Sequence, residues 1–547
     1  MKKSILLLLA IMSAAIVTAQ TYEEFVRQQQ AEYQQFKETR QAEFDAYRKK
    51  VNEEYAEFMK KRWEVFQTQP AEQPKEEKRV APVMFEEEQP AKPSQQDKNQ
   101  EQAKNQEQTK PNEQTKPQEQ TKPNEQPKPR EEERVKEHIE VIKAPIGSFT
   151  PQVISVQKDI VVIPKPEPAP EPIAPVKEKE DIPHKKVSVN YYGTLMTIGF
   201  PEEDNFKVTA LNENELAECW KKLSDPKYDI TISNAIKLRD SHRLCDWAYL
   251  KFLQAITEKQ YGKSNEAVYM QAYLLTQSGY RVRLAFSNKT NKLYLLVACQ
   301  YDIYKMTYYK VDGQKFYAID SDGAKDLHIC PASVDKEKSL SLQIASDQKF
   351  AKDLTPKRTL TSKKGVTATV SLNKNNINFF NNYPSAYING DATTRWAAYA
   401  NTPLEKNVRD ALYPQLKEKL EGLSEKDAVG LLLNWVQTAF VYEYDDKVWG
   451  GDRVFFAAET LYYPYCDCED RAILFSRLVR DLVGSNVVLL YYPGHLAAAV
   501  NFKDNVNGDY LMYNNRKYVV CDPTFINAPV GRTMPGMDNQ KAKVIVL

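Results

Sequence analysis

The run from Asn99 to Pro129, built on repeats such as Asn-Glu-Gln-Thr-Lys-Pro, limits what this chain can fold into more than any other feature. Its Gln, Lys, Pro and Glu residues offer too little apolar surface to offset the entropy of an ordered backbone, so it cannot enter a core. A second run, Pro164-Lys-Pro-Glu-Pro-Ala-Pro-Glu-Pro172, is stiff and extended in the same way. Residues 68–185 are therefore expected to be a disordered, low-complexity linker. The short apolar piece from Val153 to Val162 is read as part of it, with a docking segment as the alternative. Much of the 547-residue chain is thus set aside before any domain is counted.

Before the linker, aromatic residues recur every eleven positions. Tyr22, Tyr33, Phe44, Tyr55 and Phe66 form one series; Phe25, Phe36, Tyr47 and Phe58 form another. Eleven residues in three turns is about 3.67 per turn, so the two series make one slowly drifting stripe that favours a right-handed supercoil. With no Pro or Gly to interrupt it, the spacing predicts one helix over 22–66, roughly 67 Å long. A lone helix cannot bury such a stripe. Self-association or docking on a surface is expected, with a solvated spacer as the bland alternative.

The chain opens with Lys2-Lys3, an apolar stretch of thirteen residues from Ile5 to Val17, and Val17-Thr18-Ala19, which suits cleavage before Gln20. This is the pattern of a secretory signal over residues 1–19. It is well short of the roughly 20 residues needed to span a bilayer. The mature chain is expected to be exported without a transmembrane span, in the periplasm or on the surface of a Gram-negative cell. Seventy-five basic and seventy-four acidic residues leave a net charge of +1, which gives no support for nucleic-acid binding. No cluster has metal-ligand spacing, and no cofactor or metal is expected. All seven cysteines (219, 245, 299, 330, 466, 468 and 521) follow the linker. In an oxidising compartment an odd count suggests pairs plus one free thiol.

From Val187 the composition becomes globular. Helical patterns at Asp246 to Glu258 and Ser264 to Gln277 alternate with β-like runs at Leu293 to Ala298 and Lys315 to Asp320, which predicts an α+β fold. One unit is expected over 186–345, a connecting segment over 346–401, and a second unit over 402–547.

The chemistry is concentrated in the second unit. Tyr465-Cys-Asp-Cys-Glu-Asp-Arg-Ala-Ile-Leu474 reads as a loop entering a helix, with Asp467 as N-cap and Asp470 completing a capping-box-like pair. Cys468 then lies in the first turn, where free N–H groups and the helix dipole favour a thiolate. Asp467, Glu469 and Asp470 oppose it, so a cationic partner is needed. His495, the one histidine of this unit, follows the turn signal Pro493-Gly494 and starts a β-like run; Asp522 ends another and precedes Pro523. Singly, a cysteine in an exported chain reads as a disulfide partner, a lone histidine as structural and Asp-Pro as a strand end. Jointly, with 27 residues from Cys468 to His495 and 27 more to Asp522, they suit a triad of nucleophile, base and orienting carboxylate.

Asn434-Trp-Val-Gln437, Glu459-Thr-Leu461, Asp467-Cys-Glu-Asp-Arg-Ala472, Gly494-His495 and Cys521-Asp-Pro-Thr524 are similar, in order and spacing, to bacterial transglutaminase-like domains. The resemblance covers about Glu405 to Phe525. It implies a papain-like fold, Cys468 as nucleophile, His495 as base and Asp522 as orienting acid, acting on an amide bond of a protein or peptide through a thioester. Water as acceptor gives a peptidase or amidase, which is the expectation; an amine gives a transglutaminase. The rival class is a non-catalytic cell-envelope scaffold. Cys466 stands where the family usually has Gly, so it would narrow the cleft or pair with another cysteine such as Cys521. Tyr442, Tyr444 and Trp449 are candidate oxyanion donors beside the Cys468 N–H.

The first unit repeats the pattern in degenerate form. Ser264-Asn-Glu-Ala267 aligns with Asp467-Cys-Glu-Asp470, Leu293 to Val297 with Leu496 to Val500, and Lys315 to Asp320 with Lys517 to Asp522. Asn265 then replaces the nucleophile and Lys292 the histidine. A carboxamide and an ammonium cannot do this acyl transfer, so an inactive copy is expected there, serving substrate presentation or contact.

Overall fold

Why the long helix stops early is visible at Trp63. The computed structural model describes residues 22–73, 80–87, 140–144, 150–154, 160–174, 176, 182–321 and 325–547. The expected signal and the Asn99 to Pro129 run lie outside these described residues. The helix spans Tyr22–Met59 rather than 22–66. The Trp63 indole N–H donates to the Met59 carbonyl at 2.8 Å, satisfying one of the last helical acceptors. Glu64–Gln67 then pairs as a strand with Asp326–Ile329, so sheet pairing takes Phe66 out of the eleven-residue register. No helix among the described residues is long and apolar enough to cross a membrane.

The chain is a mixed α+β protein in two compact units. The first gathers residues 1–71, 168–300 and 306–341. Its sheet runs in the order Glu64–Gln67, Asp326–Ile329, Val282–Ser287, Lys292–Ala298, Gln314–Ala318, Tyr308–Val311, antiparallel throughout. The Asn265–Gln277 helix, almost wholly buried, packs on this sheet and on the Asp246–Tyr261 helix. Only the last turns of the aromatic helix are covered within the unit. Tyr55 stacks on Trp220 with ring centroids 4.1 Å apart, the buried Arg48 pairs with Asp229, and Asn52 Oδ1 accepts from Trp220 Nε1 at 3.0 Å and Gln277 Nε2 at 2.7 Å. Tyr33, Phe36, Phe44 and Tyr47 remain exposed, with the Lys37 ammonium 4.5 Å from the Tyr33 ring and the Arg40 guanidinium 5.6 Å from Phe36.

The second unit gathers residues 72–167, 301–305 and 342–547. Its main sheet runs Val153–Ile154, Tyr510–Tyr513, Arg516–Cys521, His495–Asn501, Asn486–Tyr492, Lys543–Val546, Ile160–Val162. The Cys468–Leu482 helix packs on it and against Glu425–Thr438. Two expectations change here. Val153–Ile154 and Ile160–Val162, read from sequence as linker, are parallel edge strands, and Val83–Glu87 and Glu140–Ala144 pair beside Phe525–Ile526. Unpaired N–H and C=O groups at a sheet edge recruit short apolar segments whatever their flanks; Ile154 is buried in doing so. Likewise 346–401, expected to connect, carries the hairpin Arg358–Thr361 with Thr367–Val370 and the helices Lys374–Asn381 and Arg395–Asn401. Leu360, Val370, Ile377, Phe379 and Trp396 are buried there among polar neighbours.

The two units share one arrangement. In each, a helix is followed by five strands ordered 5-1-2-4-3 across the sheet. Register agrees too: Val297 faces Val282 and Tyr317 in the first unit, and Val500 faces Val487 and Val519 in the second. The strand-start residues correspond, Lys292 opposite Ser287 and His495 opposite Tyr492. The difference is the hairpin between them, which is two residues longer in the first unit.

Candidate active site

Cys468 is the first residue of the Cys468–Leu482 helix, after the extended N-cap Asp467. The Asp467 N–H donates to the Asp470 carboxylate at 3.2 Å, and the Phe455 N–H donates to its other oxygen at 2.8 Å, so the capping pair read from sequence also ties the helix start to the preceding loop. The Cys468 side chain is buried. Its thiol donates to Glu469 Oε2 at 3.1 Å, while the nearby Leu496 backbone N–H favours charge on the sulfur. Burial, then the Glu469 and Asp467 carboxylates, push the thiol well above its usual range. The neutral thiol is therefore the resting form.

His495 opens its strand directly after the Pro493-Gly494 turn, where Gly494 has φ +80°. Its Nε2 lies 2.9 Å from Asp522 Oδ2. Asp522 Oδ1 accepts the N–H groups of Thr524 at 2.9 Å and Phe525 at 3.2 Å, which locks the carboxylate. Because a carboxylate accepts, Nε2 donates to Asp522, and in the neutral imidazole it is then Nδ1 that carries the lone pair. Nδ1 is buried and has no hydrogen-bond partner among the described residues. The turn after Asp522 is held by Gln437, whose Nε2 donates to the carbonyls of Asp522, Phe525 and Ala528 at 3.0, 2.8 and 3.1 Å. Arg471, buried, reaches the carbonyls of Gln437 and Phe440 from the Cys468–Leu482 helix.

Cys468 and His495 line one cavity of about 560 Å3. Asp522 stands behind His495, so the three predicted residues come together. In the present rotamer the thiol is engaged by Glu469. Of the oxyanion candidates, Tyr444 lines the cavity, Tyr442 is buried beside Cys468, and Trp449 is spent packing edge-on against Phe455 and Tyr463.

The sequence reading missed the opposite wall. Arg395, Trp396 and Asp452 line the same cavity; Arg395 pairs with Asp452 at 2.8 Å and lies over the Trp396 ring, which stacks on Tyr491. Arg395-Trp396 falls in the stretch read as a connector, and no spacing links it to Cys468. A second unforeseen feature is the convergence of Asp445 with Asp467 and Asp470, and with Asp452 and Glu469, oxygens lying within 4.8 Å of one another. Burial, then Asp445 and Glu469, push the Asp470 carboxyl well above the usual range.

None of the seven cysteines forms a disulfide, in place of the expected pairs. Cys466 and Cys521 are buried with different main-chain acceptors, Val441 and Val519, each at 3.7 Å. In the first unit, Asn265 starts its helix after the N-cap Ser264. Its Oδ1 accepts the Leu293 N–H at 2.8 Å and its Nδ2 donates to the Asn291 carbonyl at 3.3 Å. Leu293 holds the place of Leu496, so the carboxamide occupies the position of the sulfur. Asp320 is turned to Lys251 and Gln254. No family model, curated protein or solved structure matches the chain.

Proposed function

We propose that the second unit is a cysteine-nucleophile amide hydrolase, a peptidase or amidase with the papain-like fold of transglutaminase-like domains, and that the first unit is an inactive copy of it. One observation carries the reading: a buried imidazole tied through Nε2 to Asp522, its Nδ1 without a hydrogen bond among the described residues, shares a cavity wall with Cys468 at a helix start. In this mechanism the Cys468 proton passes to His495 Nδ1 as sulfur attacks the amide carbon. The C–N bond breaks, and the proton leaves with the amine. Water then attacks the thioester, giving one proton to His495 and releasing the acid, and the thiol is restored. Asp522 holds the tautomer and stabilises the imidazolium. An amine in place of water would give transamidation.

The substrate on this reading is a protein or peptide met outside the cytoplasm, in the periplasm or at the cell surface. In the scaffold alternative the aromatic helix oligomerises, both units bind partners, and Cys466, Cys468 and Cys521 serve disulfides. Iodoacetamide labelling with peptide mapping tests the assignment: Cys468 should be alkylated faster in the wild type than in His495→Ala. Equal rates, or Cys468 recovered in a stable disulfide, would overturn it.

A further inference from the structure

Adjacent positions on a helix point about 100° apart and do not normally meet. The contact between Cys468 Sγ and Glu469 Oε2 at 3.1 Å is therefore a choice of rotamers, made inside a buried wall and not on a solvated surface. The partner the sulfur forgoes is equally defined. His495 Nδ1 is buried and has no hydrogen bond among the described residues; with Nε2 donating to Asp522 it is the acceptor of the neutral imidazole. Leu496, one residue along the same strand, lines the same cavity as Cys468 and His495.

We propose that Glu469 is a positioning residue that parks the Cys468 thiol, and that the reactive site forms when the sulfur rotates about Cα–Cβ from the Glu469 carboxylate to His495 Nδ1. This rests on the triad reading above. The parked thiol keeps its proton, and a protonated thiol is a poor target for alkylation and oxidation. Rotation exchanges one acceptor for another and leaves the backbone in place. The charged and titratable groups around the sulfur are Asp467 and Glu469 beside it and Asp470 half a turn on; Tyr442 and Tyr444 before the short Asp445–Val448 helix; Asp445, Asp446 and Lys447 on that helix and Asp452 beyond it; Arg395 and Tyr304 across the cavity; and Tyr491 and His495 on the two paired strands. Glu469 is the one that holds the thiol by a direct hydrogen bond.

The test is the rate of alkylation of Cys468 by iodoacetamide in the full chain from pH 5 to 9, read by peptide mapping so that the other six cysteines serve as internal references. Glu469→Gln should raise the rate at pH 7 about ten-fold and move the pH midpoint down by roughly one unit. The gain should vanish in Glu469→Gln combined with His495→Ala, because the freed sulfur then has no base to reach. A Glu469→Gln rate equal to or below wild type, with His495→Ala still slow, would overturn the parking role and leave the triad standing. A gain that persists without His495 would also overturn it, since Glu469 would then act through charge alone. If His495→Ala alone changes nothing, the triad itself fails, whatever Glu469 does. Should Glu469→Gln not fold, Glu469→Asp, which withdraws the carboxylate by one methylene, is expected to raise the rate in the same direction.

Discussion

Asp522 Oδ2 stands 2.9 Å from His495 Nε2 while both side chains are shut off from solvent, at 1% and 0% exposure. Its other oxygen is held by two backbone N–H groups. In Asp522→Asn those N–H groups would keep the carbonyl oxygen, turning the amide NH2 towards the imidazole. Nε2 must then accept, Nδ1 takes the proton, and the base is lost without loss of shape. Asp522→Asn is expected to fold with nearly wild-type stability and to alkylate at Cys468 as slowly as His495→Ala. Nitrogen-15 NMR of the imidazole reads the tautomer directly; an unchanged tautomer would refute the argument.

Gln437 donates to three carbonyls of the turn that follows Asp522. Gln437→Ala leaves those buried acceptors unpaired, at a cost of about 1–3 kcal/mol. Urea unfolding should show the loss, and slower Cys468 alkylation should accompany it as the Asp522 loop loosens.

Glu405 is buried in the second unit, and burial pushes its carboxyl up to about 7. An unfolded glutamate titrates near 4.3. Between these values the folded state holds a proton that the unfolded state has released, so the contribution is complete below about pH 4 and is lost as pH rises through 7. Glu459, also raised to about 7 by burial, acts with the same sign. Unfolding free energy should therefore fall from pH 5 to pH 8, and Glu405→Gln should remove part of the slope, on the order of 3 kcal/mol. A parallel profile in the variant would contradict this.

Tyr33 and Tyr55 hold equivalent places in the aromatic repeat, yet Tyr33 is 60% exposed and Tyr55 4%. Tyr55→Ala should cost about 3–5 kcal/mol through lost packing on Trp220, whereas Tyr33→Ala should stay within about 0.5 kcal/mol. Paired thermal melts decide it.

Asn265→Ala removes the acceptor of the Leu293 N–H and should destabilise the first unit by roughly 1 kcal/mol. In Asn265→Cys the introduced thiol should alkylate no faster than an ordinary cysteine, because Lys292 and not an imidazole starts the neighbouring strand. Enhanced reactivity would disprove the inactive-copy reading.

How much was legible depended on whether a signal was local. The Asp467 to Asp470 cap, the turn at Gly494 and the strand end before Asp522 each rest on a few adjacent residues, and the structure has them where the spacing put them. The correspondence of Asn265 with Cys468 was also readable, since equal spacing between equivalent elements survives substitution. The helix end, the edge strands 153–154 and 160–162, and the folded character of 346–401 were not. Each depends on a partner far away in the chain: Asp326–Ile329, Tyr510–Leu511, Val544–Val546 and the buried neighbours of Trp396.

Sequence by itself determined which chemistry is on offer here: a thiol at a helix start, an imidazole and a carboxylate at strand ends, and a first unit with Asn265 and Lys292 at the positions corresponding to Cys468 and His495. Only the tertiary structure decided how they stand. It turned His495 Nε2 to Asp522, left Nδ1 without a partner among the described residues, and gave the thiol to Glu469. The physical reason is that periodicity and capping act over one or two turns of chain, whereas rotamer choice and thiol protonation are set by burial and by charges that meet only when distant segments pack.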